Sequence, residues 1–171
     1  MSDMLWVKMP TTWVTEGVMK DQFSSLKFIS ADISALKIYM YLCLYSIPVT
    51  VRMSGNLDAK FYPITARFSD CITFAESTVT YDDIGNACSL SRKLISDGLK
   101  RLYSIGMVQK RGSTRKVIYA IQGSLNSGWA KLPKRELIKL SCQIGAFHSI
   151  KNRYSHERDG LKVYIFISNQ D

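Results

Sequence analysis

Residues 80–121 decide the fold, and they read TYDDIGNACSLSRKLISDGLKRLYSIGMVQKRGSTRKVIYAI. Thr80 with two aspartates behind it predicts the start of a short helix, because hydroxyl and carboxylate oxygens satisfy the free N–H groups there. Ser91 begins a second helix in the same way, and Gly106 ends it. A strand, a basic glycine-containing loop and a returning strand follow. The predicted order is therefore helix, tight turn, helix and β-hairpin.

Upstream of this stretch, the sequence predicts a strand, a buried helix and a β-rich insertion. Residues 5–14 have strand-like content, and Pro10 argues against a helix through them. Residues 30–46 carry apolar side chains at helical spacing, which predicts a mostly buried helix. Residues 47–79 are β-branched and aromatic runs separated by turn residues, so we expect short strands there, with a turn at 54–56.

Downstream, the sequence predicts a helix and a strand outside this core. Apolar residues at three- and four-residue steps predict a helix over residues 134 to about 150, and alternation predicts a strand over 161–167. We therefore divide the chain into a domain at 1–127 and an extension at 128–171. Extra elements of this kind are common in dimer interfaces, so homodimerisation is the preferred interpretation of the extension.

Two short echoes offer an alternative for the extension. WAKLP at 129–133 echoes WVKMP at 6–10, and LKVY at 161–164 echoes LKIY at 36–39. Matches of four or five residues are weak evidence for a repeat. The echoes fit coincidence and the start of a second, degenerate copy of the upstream unit equally well.

The stretch 81–121 resembles the winged helix-turn-helix signature, in which a Ser-Arg turn joins two helices and a β-hairpin wing closes on tyrosine. WVKMP and ISADISALKIYMYL resemble the opening strand and first helix of winged-helix domains in plasmid and phage replication proteins. The match covers residues 5–122. It implies an α+β winged helix-turn-helix with a β-rich insertion between its first and second helices and a C-terminal helix–strand extension. In tandem initiators, such an extension begins a second winged-helix unit.

The charge of the chain is concentrated in one segment. The chain has 23 Lys and Arg against 14 Asp and Glu, for a net charge of +9. Residues 91–135 hold eleven basic side chains and one acidic side chain, Asp97, so they carry +10 and the rest of the chain carries −1. A concentrated basic patch indicates a polyanionic partner.

The resemblance implies that the second helix and the wing bind DNA. Arg92 is the best candidate for reading guanine, and Lys93 and Lys100 suit phosphate or base contacts. The wing cations suit the DNA backbone or a minor groove, and the wing hydroxyls suit phosphate. The full expected set is Ser91, Arg92, Lys93, Ser96, Lys100, Lys110, Arg111, Ser113, Thr114, Arg115 and Lys116.

No constellation of residues predicts catalysis, a cofactor or a metal. The candidates for a metal cluster are His148, His156, Glu157 and Asp159. Their polar surroundings are typical of a solvated loop, and their spacing matches no zinc motif. The sequence has no GxxxxGK[ST] phosphate loop and no GxSxG elbow, and Tyr154 lacks the paired histidines of a nicking enzyme. We expect no cofactor, no small-molecule substrate and no enzymatic activity.

Cysteine usage and apolar runs predict a cytoplasmic protein, and the resemblance implies a bacterial protein associated with the nucleoid or a plasmid. The four cysteines are widely spaced, without a CxxC pair, and Cys43 and Cys88 lie in apolar contexts that predict burial. The apolar runs are far shorter than the ~20 residues of a membrane span. The opening residues lack the pattern of a secretory signal.

The aromatic residues of the first half are expected in the core or an interface. They are Trp6, Trp13, Tyr39, Tyr41 and Tyr45. Platforms that stack nucleic-acid bases interleave aromatic and basic side chains, and the sequence around these residues does not.

Three functions from different classes follow. The first is sequence-specific binding of double-stranded DNA by a homodimer, in replication initiation or, alternatively, as the transcriptional repressor of a mobile element. The second is a winged helix that docks an acidic protein. The third, a nuclease, would require metal-dependent cleavage that is lost on His156→Ala.

Overall fold

A computed structural model describes residues 5–52, 71–126, 128–139 and 143–169. The expected turn at 54–56 lies outside the described residues. The described part is a mixed α and β structure with antiparallel sheets. No helix in these ranges is both long enough and apolar enough to cross a membrane.

The first half of the chain is built around one buried helix. Its elements are β1 (Val7–Pro10), α1 (Thr12–Thr15), α2 (Val18–Gln22), a 3-10 turn (Leu26–Phe28) and α3 (Ile29–Leu44). Every residue of α3 from Asp32 to Leu44 is buried. A helix that is apolar on all sides lies at the centre of a fold, with neighbours around it. The predicted buried helix is confirmed. The predicted strand is confirmed only over Val7–Pro10, because residues 12–14 belong to α1.

The middle of the chain forms a four-stranded sheet and two further helices. The elements are β2 (Ile47–Arg52), β3 (Cys71–Ser77), α4 (Tyr81–Cys88), α5 (Arg92–Ser104), β4 (Val108–Gly112) and β5 (Val117–Ile121). The sheet order is β2-β3-β5-β4, and all its pairs are antiparallel. The predicted sequence of helix, tight turn, helix and hairpin is therefore present.

Local capping explains where α4 and α5 begin and end. The Thr80 hydroxyl accepts from the Asp83 N–H, and the Asp83 carboxylate accepts from the Thr80 N–H, so α4 has a reciprocal capping box. The Ser91 hydroxyl accepts from the Leu94 N–H at the start of α5. Gly106 follows α5 with φ +75°, a conformation that favours glycine. These contacts confirm the predicted boundaries.

The predicted helix over residues 134–150 is wrong. The segment after β6 (Trp129–Leu132) is broken into α6 (Lys134–Leu137), β7 (Ile138–Lys139), β8 (Gln143–Ile144) and α7 (Gly145–His148). Ile138 and Ile144 both have extended backbones. The apolar residues at helical spacing belong to different short elements that each reach the core, so the spacing reflects burial without a continuous helix.

The predicted strand over residues 161–167 is also wrong, because α8 spans Ser155–Ser168. The Glu157 carboxylate accepts from the N–H groups of Arg153 and Tyr154, which fixes the start of the helix. Leu161 and Ile165, one helical turn apart, are buried. A short run that is almost wholly apolar fits a strand and a helix equally well, and packing of α8 against α3 selects the helix.

The two echoed strands pair with each other. β1 and β6 form an antiparallel ribbon in which Lys8 lies opposite Lys131, Val7 opposite Leu132 and Met9 opposite Ala130. Lys8 and Lys131 are the matching residues of WVKMP and WAKLP. Matching residues that face each other in an antiparallel pair are related by a local twofold axis, so the two echoes occupy equivalent positions.

The two echoed helices make reciprocal contacts. Lys37 on α3 donates from Nζ to the carbonyls of Phe147 and Ile150, at 3.0 Å each. Its counterpart Lys162 on α8 donates from Nζ to the carbonyl of Phe23 at 3.1 Å. Burial lowers the pKa of Lys37 to about 8. Each echoed helix therefore donates a lysine hydrogen bond to a segment outside it, and the repeat itself stays a prediction.

Most of the predicted core residues are buried. Trp13, Tyr39 and Tyr41 lie in the core, and the Trp13 indole N–H donates to the carbonyl of Pro10. Cys43 and Cys88 are buried free thiols, and burial raises the pKa of both. Trp6 lies outside the core, since it is 39% exposed.

The contact between α3 and α5 depends on Gly98. A Cβ at Gly98 would lie 2.8 Å from Ile38 Cδ1 and 2.9 Å from Ser34. We expect Gly98→Ala to lower the free energy of unfolding by about 1–3 kcal/mol through overpacking. Gly160 on α8 is the matched control, because its Cβ would meet nothing within 4 Å. Gly160→Ala should raise the free energy of unfolding by about 0.5–1 kcal/mol. Urea denaturation measures both, and equal effects would contradict this view of the packing.

Candidate nucleic-acid interface

α5 presents an apolar side to the core and a polar side to the β4–β5 hairpin. Ile95, Leu99 and Leu102 are buried, as their spacing predicts. Ser96 and Lys100 lie one turn apart on the side that faces the hairpin, where both border a groove. Lys93 is exposed one turn before Ser96. The predicted contact residues of α5 therefore lie along one face.

The groove lies between α5, the β4–β5 hairpin and the chain that enters α4. Its volume is about 400 Å³. Four basic side chains line it, namely Lys100, Lys110, Arg115 and Lys116. None of the described residues that line it is acidic. Cations gathered around a concave surface without a local counter-charge create a positive potential that attracts anions.

Three tyrosines that the sequence analysis missed complete the groove. They are Tyr81, Tyr103 and Tyr119. Burial raises the pKa of Tyr119 to about 12, and a nearby Tyr81 adds to the effect. Burial also raises the pKa of Tyr103. The hydroxyls of Tyr103 and Tyr119 therefore keep their protons at neutral pH. A tyrosine hydroxyl can donate a hydrogen bond to a phosphate oxygen. No sequence motif links these residues, since they come from α4, α5 and β5.

Arg92 forms an exposed ion pair at the start of α5. Its Nη2 lies 2.9 Å from Oδ1 of Asp82 on α4, and the two side chains are 75% and 76% exposed. Exposed pairs of this kind contribute about 0–1 kcal/mol, so a nucleic acid can displace Asp82 at small cost. Ser91 accepts the capping hydrogen bond described above, and its own hydroxyl proton stays available to a phosphate.

The tip of the hairpin is held by its own backbone. The N–H of Ser113 donates to the carbonyl of Lys116 at 3.0 Å, and the N–H of Lys116 donates to the hydroxyl of Ser113 at 3.2 Å. Gly112 has φ +86°, and a Cβ there would lie 2.1 Å from the Lys116 carbonyl oxygen. Thr114 and Arg115 are exposed at this tip. Ser113 thus shapes the turn that presents its basic neighbours.

Arg111 lies on the other face of the hairpin. Its Nη1 is 3.3 Å from Oε1 of Glu76, and its guanidinium lies over the ring of Phe74 at 5.8 Å. Lys110, its neighbour in β4, faces the groove. Successive residues of a strand point to opposite faces, which explains the separation. Arg111 therefore does not line the groove, and neither do Ser91, Arg92, Lys93 and Ser113. Six residues of the predicted set line it, namely Ser96, Lys100, Lys110, Thr114, Arg115 and Lys116.

The basic side chains of residues 91–135 do not share one surface. Lys131 and Lys134 do not line the groove. Lys131 belongs to β6, where its Nζ lies over the ring of Trp6, and Lys134 Nζ lies over the ring of Tyr45. Part of the predicted basic patch therefore lines the groove at α5, and Lys131 lies at the β1–β6 ribbon. Arg101 and Arg111 are instead paired with Asp32 and Glu76.

The histidines of the rejected metal cluster have other contacts. His148 Nδ1 is hydrogen-bonded to the Ser89 hydroxyl, and the ring of His156 stacks on that of Tyr154. Within the described ranges, no group of three or more His, Cys, Asp or Glu side chains could hold a metal ion.

Comparison of the chain with protein-family models, with curated proteins and with solved structures finds no match. The function must therefore be argued from the groove itself.

Proposed function

We propose that this protein binds double-stranded DNA in a sequence-specific manner through a winged helix-turn-helix. In this proposal, α4 and α5 are the helix-turn-helix and the β4–β5 hairpin is the wing. The observation that carries it is the groove between α5 and the wing, which has four cations and no acidic side chain among its described lining residues. On such surfaces, the phosphate oxygens of DNA accept hydrogen bonds from lysine, arginine and hydroxyl groups.

The arrangement assigns different tasks to the helix and the wing. The first turns of α5 enter the major groove, where Arg92 reaches a guanine edge after it releases Asp82. Lys100 and the wing residues Arg115 and Lys116 neutralise phosphates of the strand that lies between helix and wing. The hydroxyls of the partly exposed Tyr81 and Tyr103 donate to the same phosphates.

The biological process that fits the sequence resemblance is replication initiation of a plasmid or phage. Transcriptional repression is the alternative, because repressors share the same fold. Selection of binding sites from random duplexes separates the two, since an initiator recovers repeated sites and a repressor recovers one palindrome. The homodimer belongs to the same proposal, and α8 offers exposed apolar side chains at Val163, Phe166 and Ile167 for a second copy.

Duplex binding as a function of salt tests the proposal. For a dimer that makes about 6–10 phosphate contacts, the slope of log affinity against log salt should be about −5 to −9. Fluorescence anisotropy of a labelled duplex provides the measurement. Lys110→Ala should weaken binding and make the slope shallower by about 1 for each chain that contacts DNA. Arg111→Ala removes the same charge from the opposite face of β4 and should leave the slope unchanged.

Two results would contradict the proposal. The first is the absence of duplex binding at low salt. The second is equal weakening by Lys110→Ala and Arg111→Ala, which would show that net charge acts without the groove. Either result would favour the alternative function, the docking of an acidic protein. That function does not require Arg92 to contact a base.

A further inference from the structure

The outer face of the β1–β6 ribbon alternates tryptophan and lysine. Val7, Met9, Ala130 and Leu132 face the core and are buried. Side chains alternate along a strand, so the residues that alternate with these positions lie on the opposite, outer face. They are Trp6, which directly precedes β1, Lys8 on β1, and Trp129 and Lys131 on β6. Pairing of two distant strands therefore creates an aromatic and basic surface that neither strand has alone.

The two indole rings are stacked on each other, and a lysine ammonium group lies over each ring. The rings of Trp6 and Trp129 have centroids 5.9 Å apart and planes within 1° of parallel. Lys8 Nζ lies 4.2 Å from the centroid of Trp129, and Lys131 Nζ lies 5.3 Å from that of Trp6. Although stacked, Trp6 keeps 39% of its surface exposed. A platform of this kind, with aromatic and basic side chains interleaved, is what unpaired bases recognise.

A cavity opens beside Trp6. Its volume is about 540 Å³, within the range of small-ligand sites. Apolar walls come from Val7, Pro48 and Leu125, and polar groups come from Thr73 and Asn126. Lys8 also lines it and donates from Nζ to the carbonyl of Leu125 at 3.2 Å. None of its described lining residues is acidic.

This surface is separate from the groove at α5, since the described lining residues of the two cavities share no member. A paired base in a duplex has both faces covered by its neighbours and cannot stack on an indole. An acidic protein would pair its carboxylates with the ammonium groups of Lys8 and Lys131, but it would not place an unpaired base beside each charge to stack on an indole. A flexible strand offers both a bare base and a phosphate at each step.

We propose that the outer face of the β1–β6 ribbon binds single-stranded nucleic acid. A base stacks on Trp6 at the mouth of the cavity, and the flanking phosphates lie against Lys8 and Lys131. This site is additional to the duplex-binding groove and independent of it.

Two labelled oligonucleotides, dT12 and U12, test the proposal by anisotropy and by tryptophan emission. We expect saturable binding at low salt with quenching of the indole fluorescence, because Trp13 is buried and the ribbon tryptophans are the accessible fluorophores. Trp6→Ala should weaken the better-bound oligonucleotide by about 5-fold to 150-fold. Tighter binding of dT12 than U12 identifies single-stranded DNA, and the reverse identifies RNA. Equal binding identifies an interaction with the base and phosphate common to both.

Matched variants keep the test specific. Trp6→Phe preserves a ring and should retain most of the affinity. Lys131→Ala should weaken binding, while Lys27→Ala, an exposed lysine outside this surface, should not. The proposal is overturned if neither oligonucleotide binds at low salt, or if Trp6→Ala binds as tightly as the wild type. It is also overturned if Trp6→Ala weakens duplex and single strand equally. If only duplex binding is absent, the result contradicts the function proposed for the groove and not the one proposed for this surface.

Discussion

Arg92→Ala/Lys93→Ala is expected to weaken duplex DNA binding by about 30-fold to 1,000-fold. Both side chains are exposed in the first turn of α5, at the end of the helix that would enter the major groove. The variant loses the proposed bidentate contact of Arg92 to a base edge and the proposed phosphate contact of Lys93. The slope of log affinity against log salt should become shallower by about 1–2 per chain.

The control for this variant removes the same charge elsewhere. Lys20→Ala/Lys27→Ala eliminates two exposed lysines of α2 and the 3-10 turn, neither of which borders the groove. Duplex affinity at moderate salt should change little in the control. Asp82→Asn provides a second comparison, because it frees Arg92 from its ion pair and removes a negative charge beside the DNA. Binding of that variant should be equal or tighter. If the two double variants lose the same affinity, α5 is not the recognition helix.

Asp32→Asn is expected to lower the free energy of unfolding by about 3–5 kcal/mol. The carboxylate is wholly buried in α3, and it accepts from Arg101 on α5 at 2.8 Å and from Arg158 on α8 at 2.9 Å. The Arg158 side chain is itself only 3% exposed. Loss of the negative charge leaves two guanidinium groups poorly compensated in a desolvated site, and that cost exceeds the worth of the hydrogen bonds an asparagine can keep.

Asp82→Asn also serves as the control here, because it breaks an aspartate–arginine pair that is exposed on both sides. Its free energy of unfolding should fall by less than about 1 kcal/mol. Urea denaturation followed by circular dichroism, at one pH and salt concentration, measures both variants. If both variants lose similar, small amounts of unfolding free energy, the ion pairs of Asp32 with α5 and α8 contribute little to stability. A large loss for Asp82→Asn would show that the α4–α5 pair has a structural role beyond its exposed geometry.

Local signals predicted the elements between residues 80 and 121 because each boundary is set by a nearby atom. The hydroxyls of Thr80 and Ser91 satisfy N–H groups within three residues, and Gly106 supplies a left-handed backbone. Such interactions depend on sequence neighbours, so they can be predicted from the chain. The candidate contact residues of α5 followed for the same reason, since their spacing alone places them away from the buried face.

The two largest errors in the predicted elements lie in the last quarter of the chain, where periodicity is ambiguous. The run from Leu161 to Ile167 fits both a strand and a helix, and burial of Leu161 and Ile165 against α3 selects the helix. Residues 134–150 carry helical spacing, yet the described part of this segment divides into short elements. In both places, contacts with elements about a hundred residues away override local preference.

By itself, the sequence determined the buried helix α3, the capped pair α4 and α5, the hairpin after them and the excess of positive charge. Only the tertiary structure decided which cations share a surface. Adjacent Lys110 and Arg111 are separated because successive residues of a strand face opposite sides. Lys131 joins Trp6 because β1 pairs with β6 across more than a hundred residues. The sign of each charge is known from the sequence. Its neighbours depend on which strands pair and on which face of the sheet the side chain lies, and the local sequence does not encode strand pairing between distant segments.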